Sequence, residues 1–306
     1  MTGKKQTFYS NGKLLITAEY LVLDGATALA LPTKFGQNFV VENGNKHEIS
    51  WKSFDADGSI WFATTILFSE IITIANAKIE SERETLIKIL HEAYLKNPIF
   101  ISTSEGYLVE THLTFPKIWG LGTSSTLINN IAQWSQIDAF ELLKNSFGGS
   151  GYDIACAQND VPILYTLKNQ NPVVTQVVFV PKCIQNIYFV YLNQKQSSKS
   201  AIAAYYKKNK NLALEIQKIN QITDSVLKNN EFENLSLQMQ LHEEIMSSVL
   251  DIPTVKSLLF ADFDGEIKSL GAWGGDFIMV VSKTDPIQYF KKKGFETILK
   301  YNDMIR

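Results

Sequence analysis

Residues 116–126 read Pro-Lys-Ile-Trp-Gly-Leu-Gly-Thr-Ser-Ser-Thr, a stretch whose residue types could hold a phosphate. Gly120 and Gly122 let the backbone approach a ligand and turn its N–H groups toward it. Thr123, Ser124 and Ser125 stand where a helix begins, and there the free N–H groups and the helix dipole favour an anion. Their hydroxyls are also of a kind that reaches a magnesium ion bridging two phosphates. Two familiar nucleotide loops do not fit. A Walker loop needs a lysine before its Ser or Thr, and residues 120–126 contain none. A dinucleotide fingerprint would put its third small residue at Ser125 and an acid about 20 residues on. Asp138 comes near that place, but the intervening helix is short and the next strand is missing. Taken alone, the stretch also reads as an ordinary glycine turn with a Ser/Thr helix cap.

Residues 148–158 read Gly-Gly-Ser-Gly-Tyr-Asp-Ile-Ala-Cys-Ala-Gln, and Asp153 is the sole acid from 145 to 159. A partly buried carboxylate after a flexible turn suits the orientation or deprotonation of a substrate hydroxyl. The same Asp could simply satisfy a helix dipole. Residues 271–277, Gly-Ala-Trp-Gly-Gly-Asp-Phe, precede the apolar strand 278–281 and by themselves read as a hairpin turn. His47, His91, His112 and His242 are scattered without metal-ligand spacing. His242-Glu243-Glu244 reads as a solvated helix face, Lys195–Lys199 as a solvated turn, and Lys207–Lys210 as an exposed helix face.

Strands and helices of ordinary length must position these groups. Short strand runs fill 7–23 around an Asn11-Gly12 turn signal, with further strands at 28–31, 37–42, 47–52 and 59–64. The pattern is helical over 68–95, then strand-like at 98–103 and 107–115, the latter leading into the glycine stretch and a helix at 127–134. Helices at 138–146 and 152–158 flank the second glycine cluster, and a strand at 162–167 follows. The polar segment Asn169–Pro172 marks a boundary between domains 1–168 and 169–306. Beyond it come strands at 174–180 and 187–192, helices over 198–228, 232–248 and 253–260, strands at 266–271 and 276–282, a helix at 286–293 and a strand near 296–301. Such content implies an α+β fold, helices layered on an antiparallel sheet.

A chain of 306 residues is long enough for two domains, and 45% hydrophobic with 20% charged residues excludes a disordered, collagen-like or coiled-coil protein. A formal charge of −2 supplies no bulk attraction for nucleic acid or an anionic membrane. Cys156 and Cys183 are too few for a disulfide framework or a four-cysteine zinc site. The apolar stretch Leu14–Leu23 is broken by Glu19 and lacks a cleavage pattern, and no window has 18 uninterrupted apolar residues. A cytoplasmic enzyme or binding protein is the expectation, with no nucleic-acid or membrane partner.

Together and in order, the three glycine-containing stretches resemble the motifs of the GHMP kinase superfamily, whose members include galactokinase, homoserine kinase, mevalonate kinase and phosphomevalonate kinase. The first motif resembles Asn11-Gly12-Lys13-Leu14-Leu15-Ile16-Thr17-Ala18-Glu19-Tyr20, the second Pro116 with Gly120–Ser125, the third Gly271–Gly275 followed by Asp276. The likeness is strongest to mevalonate and phosphomevalonate kinases. It implies a two-domain α+β fold, with an N-terminal ribosomal-protein-S5-like domain, a C-terminal ferredoxin-like domain and the active site between them. It implies an ATP- and Mg2+-dependent kinase acting on mevalonate or phosphomevalonate, with a small-molecule substrate as partner, and it admits a homodimer. By position, Lys13 and Asp153 are the implied catalytic residues. Gly120, Leu121, Gly122, Thr123, Ser124 and Ser125 would hold the ATP phosphates. Glu19, Ser150, Gly151, Gly271, Ala272, Trp273, Gly274 and Gly275 would form the substrate side, and Ser124 with Glu141 would serve the metal. The chain departs from the pattern at Asn11, Ala18 and Trp273, where the family has Pro, Gly and Gly. Trp273 is expected to narrow the substrate cleft. A diphosphomevalonate-decarboxylase-like enzyme and a catalytically inactive metabolite-binding relative are the alternative readings.

Overall fold

The computed structural model describes residues 5–73, 81–195, 198–207 and 211–306. In chain order the elements are β1 (Gln6–Leu15), β2 (Ala28–Asn43), β3 (Glu48–Phe54), β4 (Ile60–Leu67), α1 (Phe68–Ile72), α2 (Glu82–Lys96), α3 (Ile99–Ser102) and β5 (Tyr107–Leu113). Then follow α4 (Thr123–Ser135), α5 (Ala139–Ser146), α6 (Tyr152–Gln158), β6 (Ile163–Lys168), β7 (Asn171–Gln176), β8 (Ile187–Tyr191), α7 (Ser198–Tyr206) and α8 (Ala213–Lys228). The chain ends with α9 (Phe232–Leu250), α10 (Val255–Leu259), β9 (Glu266–Ser269), β10 (Phe277–Val281), α11 (Ile287–Lys292), β11 (Ile298–Lys300) and α12 (Tyr301–Met304). Part of the expected helix over 68–95, part of the Lys195–Lys199 turn and most of the Lys207–Lys210 face lie outside the described residues.

Backbone contacts group the chain into two compact units. The first comprises Met1–Gly12, Phe35–Lys117 and Leu121–Gln158. Its sheet runs β4-β3-β5 and then the C-terminal half of β2, with β3 and β5 parallel and the other pairs antiparallel. Along β5, buried Val109, Thr111 and Leu113 alternate with outward-facing Leu108, Glu110 and His112, the period of two that a half-buried strand demands. Helices α2, α4, α5 and α6 pack on one another. Their apolar faces meet the sheet around the rings of Phe39, Trp51 and Trp134. Helix α2 starts from a capping box in which Ser81 and Glu84 satisfy each other's backbone N–H groups.

The second unit comprises Lys13–Lys34, Ile118–Gly120 and Asn159–Arg306. In it the N-terminal half of β2 pairs with β6, and β6 with β7. A separate antiparallel sheet has the order β11-β8-β10-β9. Strands β8 and β10 are buried along their whole length. Helices α8 and α9 pair, and α9 covers β9 and β10. The α+β class expected from the sequence is therefore observed. The boundary expected at 168/169 falls within the β6–β7 hairpin, where Lys168 pairs with Asn171.

Three local expectations are corrected. The strand expected at 98–103 is the helical turn α3, because Pro98 is in the right-handed helical region and Asn97 caps the Ile99 N–H through its side chain. The Asn11-Gly12 pair does not turn. Both residues lie inside β1 and are buried, and neither takes a positive φ, so strand pairing overrides the local turn propensity. The strands expected at 28–31 and 37–42 are one continuous strand, β2.

Candidate active site

In the first unit, α4 starts directly after the second glycine of the loop. Gly122 is its N-cap residue with φ of 104°, a left-handed conformation that glycine takes without steric cost, and among the described residues no side chain caps the helix. The Ser125 and Thr126 hydroxyls turn back on the loop, donating to the Gly122 carbonyl at 2.9 and 3.0 Å. Thr123 Oγ1 is buried and has no hydrogen-bond partner among the described residues, while Ser124 is exposed. An orphaned buried hydroxyl beside uncapped N–H groups costs free energy unless a ligand satisfies it.

A buried amide network holds this helix in place. Ser10 Oγ donates to Asn130 Oδ1 at 2.7 Å and accepts from Asn129 Nδ2 at 2.8 Å. Asn130 Nδ2 in turn donates to the Gln37 carbonyl at 3.0 Å, and Thr126 Oγ1 to Gln37 Oε1 at 3.2 Å. Sequence reasoning missed these residues. The available signal was the Asn129-Asn130 pair standing amid the apolar residues of α4, since buried amides must find partners.

Helix α6 packs against α4, which brings the helix bearing Asp153 alongside the helix bearing Thr123–Ser125. Asp153 lies in the first turn of α6, half-buried, and its Oδ1 accepts the Ile154 N–H at 3.1 Å. Gly151, with φ of 88°, and Ser150 lead into that turn. Glu141 lies on α5 with its side chain 58% exposed and paired to Lys96 at 2.9 Å.

In the second unit, Lys13 Nζ donates to the Gly120 carbonyl at 3.1 Å, which seats an ammonium at the first glycine of the loop. Gly120 has φ of 69°, and a Cβ there would stand 2.5–2.8 Å from the carboxyl atoms of Asp276. Gly271, with φ of 70°, faces the same carboxylate at 3.2 Å from its own would-be Cβ. Asp276 is buried, and its N–H donates to the Gln194 carbonyl at 2.7 Å. The second and third glycine motifs thus meet at one carboxylate. Within the third loop Ala272 is buried and Gly275 N–H donates to its carbonyl at 3.3 Å, while Gly274 faces open space. Trp273 is only 8% exposed. Its backbone N–H donates to Tyr20 Oη and its indole N–H to the Pro253 carbonyl, both at 3.1 Å. The indole is packed within the second unit.

Glu19, His242, Glu243 and Lys268 form a buried ionic cluster, and here the expected solvated face at 242–244 is corrected: His242 is 0% and Glu243 3% exposed. Helix α9 turns both toward β9, where Lys268 contacts Glu19 directly and stands 4.0 Å from Glu243. Ser269 Oγ donates to Glu243 Oε2 at 3.0 Å. His242 Nε2 accepts the Ala18 N–H at 2.9 Å and lies 3.2 Å from Glu19 Oε2. Burial, aided by Lys268, holds the His242 imidazole neutral with a pKa well below the usual histidine value. Burial pushes the Glu243 carboxyl up to about 7 and the Glu19 carboxyl upward against the pull of Lys268. Nothing in the sequence around Lys268 marks it as buried.

No family model and no curated protein matches the chain. Solved structures do. Methanococcus jannaschii mevalonate kinase superposes with a TM-score of 0.70 at 14% identity, covering 97% of each chain. Streptococcus pneumoniae phosphomevalonate kinase, solved with phosphomevalonate and AMPPNP, gives 0.69 at 15% identity, covering 96% of this chain and 99% of its own. The fold is that of the GHMP kinases. Lactococcus lactis galactokinase, complexed with galactose, reaches 0.65 at 11% identity over 94% of this chain and 88% of its own. A mevalonate kinase, a phosphomevalonate kinase and a galactokinase therefore share this fold. Among the described residues, no helix is long and apolar enough to cross a membrane.

Proposed function

We propose that the chain is an ATP-dependent phosphotransferase acting on a small molecule, with mevalonate or phosphomevalonate as the leading acceptors. The observation that carries this reading is the uncapped N-terminus of α4, with the orphaned Thr123 hydroxyl beside it and the Asp153 helix packed alongside. Phosphoryl transfer asks the protein mainly for positioning and charge neutralisation. The α4 N–H groups and Thr123 would take the nucleotide phosphates, and Lys13, already seated on the Gly120 carbonyl, would neutralise charge near the transferred group. Asp153 would orient or accept the proton of the attacking oxygen. The exposed Ser124 hydroxyl suits a magnesium ion carried on the phosphates, whose chemistry is to offset charge on the transferred group; the Glu141 carboxylate is engaged by Lys96. ATP with magnesium should raise the thermal midpoint by mass action, and Ser124→Ala should reduce that rise while the protein alone melts as before. Stabilisation by NAD with none by ATP would overturn the reading.

A further inference from the structure

The burial of this cluster carries a cost that calls for a role. Four ionisable side chains are enclosed, and Glu19 Oε2, His242 Nδ1 and Glu243 Oε1 have no hydrogen-bond partner among the described residues. The cluster grips one short segment. Lys268 takes the Glu19 carboxylate, and His242 takes the N–H of Ala18. Ala18 and Tyr20, on either side of Glu19, have φ of 68° and 62°, a conformation costly for both residues that survives only when its surroundings enforce it. The product of that turn is the placement of Tyr20 Oη, which accepts the Trp273 N–H at 3.1 Å in the middle of the third glycine loop. Three residues on, Asp276 packs against Gly120.

We propose that Lys268, with His242 and Glu243, acts as a positioning device for the third glycine loop, working through the strained Ala18–Tyr20 turn and the Tyr20 hydroxyl. All four side chains of the cluster are buried, so its effect on the loop runs through the Ala18–Tyr20 segment that it grips. The proposal rests on the kinase reading only for its kinetic consequence, since the placement of the loop is itself measurable.

The test uses the full chain. Tyr20→Phe removes only the last link. The pair Glu19→Gln with Lys268→Met neutralises the cluster without leaving a lone buried charge. Hydrogen–deuterium exchange of a peptide spanning 270–277 should quicken about tenfold in each, and no further when the three substitutions are combined, because they break one chain of contacts. The acceptor KM should rise about tenfold in the same variants, with the ATP KM within about twofold of wild type. If the neutralised pair does not fold, Lys268→Arg, which keeps the charge but shifts its hydrogen bonds, should still quicken exchange about threefold at 270–277. Unchanged exchange at 270–277 in the folded cluster variant, or independent effects that multiply in the triple variant, would overturn the proposal. Failure of wild-type protein to release ADP with any acceptor would instead remove the kinase reading, leaving the exchange result to decide this one.

Discussion

Asp153 occupies the first turn of α6, its Oδ1 accepting the Ile154 N–H, with an apolar run behind it. Its value to a phosphotransferase is charge and basicity in the transition state, both of which Asp153→Asn deletes while keeping shape. Turnover should fall about 100-fold to 10,000-fold with the melting temperature little changed, as steady-state kinetics beside a thermal melt would show. Glu243 sets a pH dependence of a different kind. Folded, it keeps its proton up to about pH 7; unfolded, it releases it near 4.5. Between these values the unfolded chain binds fewer protons, so this group lowers stability as pH rises, by about 3 kcal/mol above pH 7. His242 works in the opposite sense, because unfolding lets it take a proton below its usual pKa of 6.5. Glu243→Gln removes only the first effect and can still accept from Ser269 Oγ. The variant should gain about 5 °C on wild type between pH 5 and pH 8, and a constant difference in melting temperature would contradict this. At Trp273 the buried indole and its bond to Pro253 indicate packing: Trp273→Gly should lower stability by about 3 kcal/mol or more, with acceptor preference little changed. The helix-start positions of Asp153 and Thr123 were legible in the sequence because glycines precede both. Lys268 and Glu243 were not, because a lysine or glutamate is ordinarily solvated and only tertiary structure brings two elements together to enclose it.

Helices and strands carry the next level. Gly120 has its conformation set from elsewhere in the chain, since Asp276 fills the space where a Cβ at Gly120 would stand and φ of 69° disfavours any other residue. Gly120→Ala should therefore displace the loop or the carboxylate and raise the ATP KM by about tenfold or more. A wild-type KM would show that the loop tolerates the shift. Amphipathic helices such as α5 and alternating strands such as β5 could be read from the sequence, because one face is buried and the period shows it. Where both faces are buried the period vanishes, as in β8 and β10, and only apolar runs remained to mark them. The failures were local signals outweighed by context. Asn11-Gly12 is held straight by strand pairing, and the apolar run after Pro98 is drawn into a helical turn by a capping asparagine.

For the whole molecule, the chain order of the three glycine motifs is what links a sequence without a matching family model to the fold of the GHMP kinases. Gly120 lies beside Asp276 and Gly271 in the second unit, and two residues later the chain becomes the N-cap of α4 in the first. The same fold accommodates mevalonate kinase, phosphomevalonate kinase and galactokinase. The most direct test is ADP release from ATP and magnesium across mevalonate, phosphomevalonate, homoserine and a set of sugars, run with wild type and Asp153→Asn. ADP release is expected with at least one acceptor, falling by about 100-fold or more in the variant. Acceptor-dependent ADP release that is equal in both proteins, or none with any acceptor alongside no ATP-induced shift in melting, would contradict the kinase reading.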